Sequence, residues 1–229
     1  MIIGKGQKSV SKERVLTEIL HRAFPIPMGL SVLDVGCGSG KLANHLSAQG
    51  AIYTGIDPHP QSDCGEAIIP ACGSALPFDD QMFDGVIMNQ SLHHISVPKM
   101  ANAFDEASRV LRPDGRLLII EPALHGPAFE ILSVVDDETD IRIEARKSLQ
   151  AALASRELSC REASNKFAQT SFRNFDEYLA ELIAVNPGRA ATALHFLQAL
   201  RTKFELLAPC QDGFFVLTYN IDYWVLEPT

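Results

Sequence analysis

The stretch that decides the fold is Val32-Leu33-Asp34-Val35-Gly36-Cys37-Gly38-Ser39-Gly40, a short apolar run that ends in a glycine-rich turn. A second apolar run, Tyr53-Thr54-Gly55-Ile56-Asp57, ends in an acid. A strand, a glycine turn and an acid after the next strand are the parts of a nucleoside-binding crevice at the carboxyl edge of a parallel sheet. The sequence therefore predicts such a crevice around these two segments.

The spacing of the glycines indicates which nucleoside the crevice binds. A dinucleotide fingerprint reads G-x-G-x-x-G, and its third glycine position is Lys41 here. The additional glycine instead falls at Gly40, which makes the turn G-x-G-x-G. This turn resembles motif I of the class I S-adenosylmethionine-dependent methyltransferases. A dinucleotide-dependent oxidoreductase is the less supported alternative.

Three more segments resemble that family, in the family's own order. Residues 75–84 are similar to the A-x-LPF-x-x-x-x-FD segment of the small-molecule methyltransferases related to the ubiquinone and menaquinone C-methylases. Residues 85–95 resemble their motif after the fourth strand, and residues 106–116 resemble their E-x-x-RVL-x-P-x-G signature. The resemblance therefore extends over residues 30–122, which makes it far more specific than one glycine turn.

The resemblance implies S-adenosylmethionine as cofactor and assigns roles in binding it. In the family, the acid at the position of Asp34 helps to hold the ammonium end of the cofactor, and the acid at Asp57 accepts the two ribose hydroxyls. The glycines let the backbone approach the ligand, and the start of the following helix favours its carboxylate. The predicted cofactor-binding residues are Asp34, Gly36, Cys37, Gly38, Gly40, Asp57, Pro58, Gly73, Ser74, Asn89 and Gln90.

The adenine site departs from the family pattern at Cys72. Relatives usually carry an aspartate there, which accepts a hydrogen bond from the adenine amino group, whereas a thiol is a poor acceptor. Losing one such bond costs about 1 kcal/mol. Either Asp79, Asp80 or Ser74 replaces the missing acceptor, or the protein binds the cofactor with modest affinity.

The predicted catalytic residues are His93, His94 and Glu121. A histidine titrates near neutral pH and suits a general base, which methyl transfer needs only when the acceptor atom is protonated. His93 is favoured over His94, although Leu-His-His-Ile accompanies different substrates in the family and a simply packed histidine is the competing interpretation. By topology, Glu121 and His125 follow the fifth strand toward the acceptor pocket; a solvated carboxylate is the alternative for Glu121.

Alternating strand and helix patterns predict an α/β fold, doubly wound and Rossmann-like, with seven strands, an antiparallel last strand and an inserted helical cap. We expect one methyltransferase domain over residues 1–229, and no full helix in the short crossover after Asp57 because it holds two prolines and a glycine. The predicted strands are 31–35, 51–56, 67–71, 85–89 and 116–121. The predicted parts are an N-terminal helical segment (1–28), a cofactor-binding half (29–125), a helical cap (126–203) and a C-terminal strand pair (204–229).

The cap prediction rests on helical patterns near 138–154, 175–185 and 189–202. The cap's aromatic residues could either line an apolar acceptor pocket or form the cap's own core; they are Phe167, Phe172, Phe175 and Tyr178. Alternating residues at 214–219 and 222–227 predict a closing antiparallel pair.

Composition narrows the function further. The net charge is −8 and no basic run is present, which disfavours a nucleic-acid substrate. No apolar stretch is long enough to span a membrane and no signal-peptide core is evident, so the expected location is the cytoplasm. The five cysteines lack CxxC spacing, which argues against disulfides and metal. A thiolate site for a soft metalloid is the weaker alternative to buried thiols; it would use Cys64, Cys72, Cys160 and Cys210.

Together these patterns predict methyl transfer from S-adenosylmethionine to a small acceptor, an apolar or aromatic metabolite. The alternative is a cofactor-binding protein of methyltransferase fold that acts through protein partners without catalysis. A homodimer is possible, because the short crossover after Asp57 leaves part of one sheet face to be covered.

Overall fold

The computed structural model describes residues 10–25, 28–60, 68–155 and 158–229. Its strands are β1 (Ser31–Val35), β2 (Ile52–Asp57), β3 (Ile68–Pro70), β4 (Phe83–Asn89), β5 (Leu111–Pro122), β6 (Leu158–Phe172), β7 (Cys210–Gln211) and β8 (Phe214–Pro228). Its α-helices are α1 (Lys12–Ala23), α2 (Lys41–Ser47), α3 (Val97–Val110), α4 (Pro127–Leu132), α5 (Thr139–Ala154), α6 (Phe175–Val185), α7 (Ala190–His195) and α8 (Leu197–Leu207). Short 3₁₀ helices cover Leu92–His94 and Pro187–Arg189.

The strand order explains where a ligand would bind. The sheet runs β3-β2-β1-β4-β5-β8-β6, and β7 pairs with β8 outside this path. Strands β1 to β5 are parallel, with β1 between β2 and β4. The chain winds outward from β1 to β3 on one side and from β4 to β5 on the other, so its direction reverses between β1 and β4. Open α/β sheets bind ligands outside the carboxyl ends of the strands at this reversal. The predicted doubly wound, mostly parallel sheet is confirmed.

The chain divides into two compact units. The sheet unit consists of Glu18–Glu121, Asp140–Ser164 and Asp222–Thr229. The accessory unit consists of the described residues up to Thr17, Pro122–Thr139 and Asn165–Ile221. This division differs from the predicted boundary between a cap at 126–203 and a strand pair at 204–229, because β6 and β8 each contribute residues to both units.

The core of the sheet unit follows from the apolar runs of its central strands. Leu33 of β1, Val86 of β4 and Leu117 of β5 are fully buried, as is Met100 of α3. Strands that are covered on both faces read as continuous apolar runs, which is typical of parallel sheets. The site at the carboxyl edge therefore stands on a rigid, close-packed base.

The predicted closing strand pair is wrong, because residues 214–228 form the single strand β8. The segment between the two predicted strands is Asn220-Ile221, and a β-branched residue favours extended backbone over a turn. The hairpin turn lies earlier, at Asp212-Gly213, where both residues have positive φ angles of 52° and 84°. An Asp-Gly pair suits a two-residue hairpin for this reason, and it joins β7 to β8 in antiparallel pairing.

Strand β6 was not predicted, and it occupies part of the segment assigned to a helical cap. It lies at the end of the strand order. All of its residues from Ser159 to Phe167 are exposed or half-buried, and the sequence there shows no alternation of apolar and polar residues. Edge strands commonly carry polar side chains that discourage pairing with other chains, which hides them from pattern analysis.

Two of the family-like segments hold each other in place. The Glu106 carboxylate accepts the backbone N–H of Leu76 at 2.6 Å, and Arg109 donates to the carbonyl oxygens of Leu76 and Phe78 at 3.2 and 2.8 Å. Arg109 also donates to both Glu106 oxygens and to Asp80. The E-x-x-R pair on α3 thus fixes the backbone of the A-x-LPF segment, a structural role that neither segment indicates alone.

The crossover after β2 is only partly described. Residues 58–60 are not helical, in agreement with the predicted loop, whereas residues 61–67 lie outside the described residues. Among the helices of the described ranges, none has the length and apolar character needed to cross a membrane.

Candidate functional site

The glycine turn and Asp57 meet at the carboxyl ends of β1 and β2. The backbone N–H groups of Gly36 and Cys37 donate to the carbonyl oxygen of Ile56 at 2.9 and 3.0 Å. The Asp57 carboxylate accepts the N–H of Gly38 on Oδ2 at 2.9 Å and the N–H of His59 on Oδ1 at 2.8 Å. The turn is therefore tied to the acid, and each carboxylate oxygen retains a further lone pair.

Two glycines of this turn, Gly36 and Gly38, differ in the space around their Cα atoms. Gly36, Gly38 and Gly40 all have left-handed backbone, with φ angles of 73°, 56° and 70°. A Cβ atom added at Gly36 would lie 2.6 Å from the Cβ of Ser91, so this glycine is required for packing. At Gly38 no heavy atom of the described residues lies within 4 Å of such a Cβ. That open space is where a ligand could approach the backbone.

This difference makes a matched pair of alanine variants informative. Gly36→Ala is expected to lower the free energy of unfolding by about 3 kcal/mol, from left-handed strain and overpacking against Ser91. Gly38→Ala carries only the strain, about 1 kcal/mol, but places a methyl group in the open space. Urea denaturation together with cofactor titration should therefore show a fold defect in the first variant and a binding defect in the second. Equal destabilisation of both variants would contradict this division of roles.

Asp34 lies beneath the turn as a buried acid. It is 2% exposed, and its Oδ2 accepts the hydroxyl of Tyr53 at 3.0 Å. Burial raises the pKa of Asp34 to about 7, the Tyr53 hydrogen bond opposes this shift, and the charge of Asp57 adds to it. Burial and the charge of Asp34 raise the pKa of the Cys37 thiol to about 12. This thiol is therefore not a nucleophile at neutral pH.

Two hydrogen bonds hold the segment after β4 in place. Gln90 has a φ of 54° and donates its N–H to the carbonyl oxygen of Ile120 at 2.7 Å. The buried hydroxyl of Ser91 donates to the carbonyl oxygen of Val35 at 2.6 Å. Positive φ in a side-chain-bearing residue is uncommon and occurs disproportionately at functional sites. The fold thus brings Asn89 and Gln90 to the sheet edge that carries the glycine turn.

His93 and Glu121 form a buried pair instead of facing solvent. They are 4% and 1% exposed, and the Nδ1 atom of His93 is hydrogen-bonded to Oε2 of Glu121. The other Glu121 oxygen accepts the N–H of Leu92 at 3.2 Å. The interpretation of Glu121 as a solvated strand end is wrong, since the carboxylate anchors the 3₁₀ helix. His94 is exposed next to His93, and His125 is exposed in the accessory unit.

In the predicted adenine segment, Cys72 contacts a hydroxyl group and does not provide the acceptor that the family pattern has at this position. The Cys72 thiol lies 3.3 Å from the hydroxyl of Ser74, and hydrogen bonding to Ser74 lowers the thiol's pKa, with a further contribution from the charge of Lys99. Asp80 is paired with Arg109 at 2.8 Å and is therefore a poor candidate for the missing acceptor. Ser74, next to the buried Gly73, remains the better candidate of the residues named above.

Of the four aromatic residues predicted either to line an acceptor pocket or to form a cap core, three lie in a core. Phe172, Phe175 and Tyr178 are buried with Phe204 in the core of the accessory unit, where the Tyr178 and Phe204 rings stack at 4.8 Å. Phe167 is about half exposed, at 48%. These side chains therefore carry no evidence for an apolar acceptor.

A metal centre finds no support in the part of the chain that the structure describes. No group of three or more histidine, cysteine, aspartate or glutamate residues there is arranged to hold a metal ion. Of the four cysteines considered for a metalloid site, Cys64 lies outside the described residues, and Cys72, Cys160 and Cys210 are free thiols.

Pattern analysis missed Tyr53, Ser91, Glu106 and Arg109 as residues that build this site. Tyr53 and Asp57 are four residues apart on β2 and share one face, which is a signal that the sequence offers. The other three act through partners that are 30 or more positions away or on another strand, and no local pattern reveals those contacts.

Known methyltransferases resemble this chain in sequence. Residues 33–119 match a family model described as a methyltransferase domain. An uncharacterized methyltransferase of Mycobacterium tuberculosis (strain ATCC 25618 / H37Rv) is 38% identical over 96 residues, which cover 39% of this chain and 38% of the relative. The 27-O-demethylrifamycin SV methyltransferase of Amycolatopsis mediterranei (strain S699) is 33% identical over 118 residues, with 45% and 43% covered. The chain thus spans less than half the length of these curated relatives.

A solved structure matches over nearly the whole chain. It is a putative methyltransferase from an antibiotic biosynthesis pathway of Anabaena variabilis, with a TM-score of 0.65 and 19% identity. The match covers 96% of this chain and 99% of that one. At this identity the likeness establishes the fold alone.

Proposed function

We propose that this chain, whose residues 33–119 match a methyltransferase family model, is a class I methyltransferase that transfers the methyl group of S-adenosylmethionine to a small-molecule acceptor. The observation that carries the proposal is the hydrogen bond between Gly38 N–H and Asp57, which joins the glycine turn to the acid beside the reversal of the strand order. S-adenosylmethionine is a nucleoside with an amino-acid tail and no phosphates. It matches a turn with one acid before it, Asp34, and a second acid beside it, Asp57.

The residues present fit this cofactor. The open space beside Gly38 leaves room for a ligand against the backbone, and the free lone pairs of Asp57 suit a ribose diol. Asp34 suits the ammonium group, and Ser74 the adenine amino group. When bound, the cofactor supplies an electrophilic methyl group on a sulfonium. The protein's own contribution is to orient the two reactants and to exclude water.

The acceptor is assigned only by class. The net charge of −8 and the lack of basic runs disfavour nucleic acid, and Asn89-Gln90 lacks the Pro-Pro-Tyr/Phe continuation of base N-methylases. The Amycolatopsis relative is named for a small-molecule acceptor, which supports the same class for this chain. The finer prediction of an apolar or aromatic acceptor has lost the support of three buried aromatic residues.

The test is calorimetric titration of the purified protein with S-adenosylmethionine, S-adenosylhomocysteine and NAD. Micromolar binding of the first two ligands without NAD binding is the expected result, and it justifies a screen of small-molecule acceptors by methyl transfer. Binding of NAD alone, or of none of the three, would overturn the proposal. Cofactor binding without methylation of any acceptor would favour the non-catalytic alternative.

A further inference from the structure

Asp34 is a buried acid that the protein satisfies on one side only. Oδ2 accepts the Tyr53 hydroxyl at 3.0 Å, whereas the described residues provide no hydrogen bond to Oδ1. A carboxyl group that is 2% exposed and accepts one hydrogen bond from a neutral hydroxyl is costly to ionise. It therefore suits a cationic ligand or a proton.

Tyr53 reaches Asp34 because Gly55 has no side chain. Tyr53 and Gly55 are neighbours on one face of β2, and Gly55 lies directly opposite Asp34 on β1. A Cβ atom at Gly55 would be 2.8 Å from the Tyr53 hydroxyl oxygen and 2.9 Å from the Cys37 sulfur. The tyrosine ring therefore extends over the glycine, and its hydroxyl fixes the orientation of the Asp34 carboxyl.

The groups that face Asp34 include no cation among the described residues. They are Tyr53 and Asp57 of β2 and Cys37 of the turn, while the neighbour on β4 is Ile87. Burial raises the pKa of both the Tyr53 hydroxyl and the Cys37 thiol, so both are neutral near pH 7. The positive charge that an ionised Asp34 lacks would have to come with a ligand.

We propose that cofactor binding is an exchange at Asp34, in which the ammonium group of the cofactor's amino-acid tail replaces a proton on the carboxyl, and that Tyr53 is the positioning residue for this exchange. The displaced proton passes to solvent and no covalent bond changes. This inference rests on the proposed function and adds to it a proton stoichiometry and a role for Tyr53.

The exchange is measured by calorimetry at pH 6.0 in two buffers of different ionisation enthalpy, phosphate and imidazole. Because burial raises the pKa of Asp34 to about 7, most of the free protein is protonated at pH 6.0, and binding of S-adenosylhomocysteine should release most of one proton. The control ligand 5′-methylthioadenosine lacks the ammonium tail and should release none. Below pH 7 the proton competes with the ammonium group, so affinity for S-adenosylhomocysteine should fall by about tenfold per pH unit.

Two variants separate positioning from general structural support. Tyr53→Phe removes a hydrogen bond that lowers the pKa of Asp34, so the midpoint of the affinity profile for S-adenosylhomocysteine should move to higher pH. Asp34→Asn should abolish proton release and pH dependence while methylthioadenosine still binds. Equal binding enthalpy in both buffers for the wild-type protein, or an unmoved midpoint in Tyr53→Phe, overturns the inference. Failure of both ligands to bind at any pH would overturn the proposed function itself.

Discussion

Replacing Glu121 with alanine is expected to lower the free energy of unfolding by about 3 kcal/mol. The side chain is 1% exposed and pairs with the backbone N–H of Leu92 and with the ring of His93. Alanine leaves both buried groups unpaired, and each such group costs roughly 1–3 kcal/mol. Total stabilities of about 5–15 kcal/mol make this loss large, and urea denaturation of the purified variant measures it.

Two control variants test whether the loss of stability in Glu121→Ala comes from its lost hydrogen bonds. Glu121→Gln retains a hydrogen-bonding side chain of the same shape and should lose less than half as much stability. Asp105→Ala changes an exposed acid of α3 in the same unit and should be neutral within about 0.5 kcal/mol. Wild-type stability of Glu121→Ala would contradict the anchoring of the 3₁₀ helix. A stable Glu121→Gln that binds the cofactor but transfers no methyl group would instead support the predicted catalytic role.

The turn, the parallel strands and the acid could be predicted because their causes are local. Strand β1 has the predicted bounds, Ser31–Val35, since an apolar run must be buried and a glycine run must break it. The Asp57 position follows from the same logic on the next strand. The Asp212-Gly213 hairpin turn also has a local cause, but the alternating residues at 214–219 and 222–227 favour a turn between them instead.

Contacts that join distant parts of the chain could not be predicted in the same way. The pairs Tyr53–Asp34, Glu106–Leu76 and Glu121–His93 connect residues 19, 30 and 28 positions apart. Each depends on how elements that are distant in the sequence pack against one another in the fold. A resemblance to a family identifies the residues that recur, but the partner that each one contacts follows only from the fold. For the same reason the sequence does not reveal that His93 and Glu121, both predicted catalytic residues, are hydrogen-bonded to each other.

Replacing Asp57 with alanine is expected to weaken binding of S-adenosylhomocysteine at least about tenfold, since hydrogen bonds to a charged group contribute about 1.5–3 kcal/mol. Its two oxygens already accept the N–H groups of Gly38 and His59, which aims their remaining lone pairs away from the turn. A vicinal diol presents two donors at a matching separation. Calorimetric titration measures the loss, and Asp114→Ala, an exposed acid at the start of β5, is the matched control with unchanged affinity.

The Asp57 variant could also weaken binding by loosening the turn, and a second ligand distinguishes the two causes. The 2′-deoxy analogue of methylthioadenosine lacks one of the two hydroxyls. If Asp57 binds the diol, the alanine variant should lose much less affinity for this analogue than for methylthioadenosine itself, because one of the lost hydrogen bonds was never made. If the turn has loosened, both ligands lose affinity equally, and the carboxylate acts on the backbone of Gly38 rather than on the ribose.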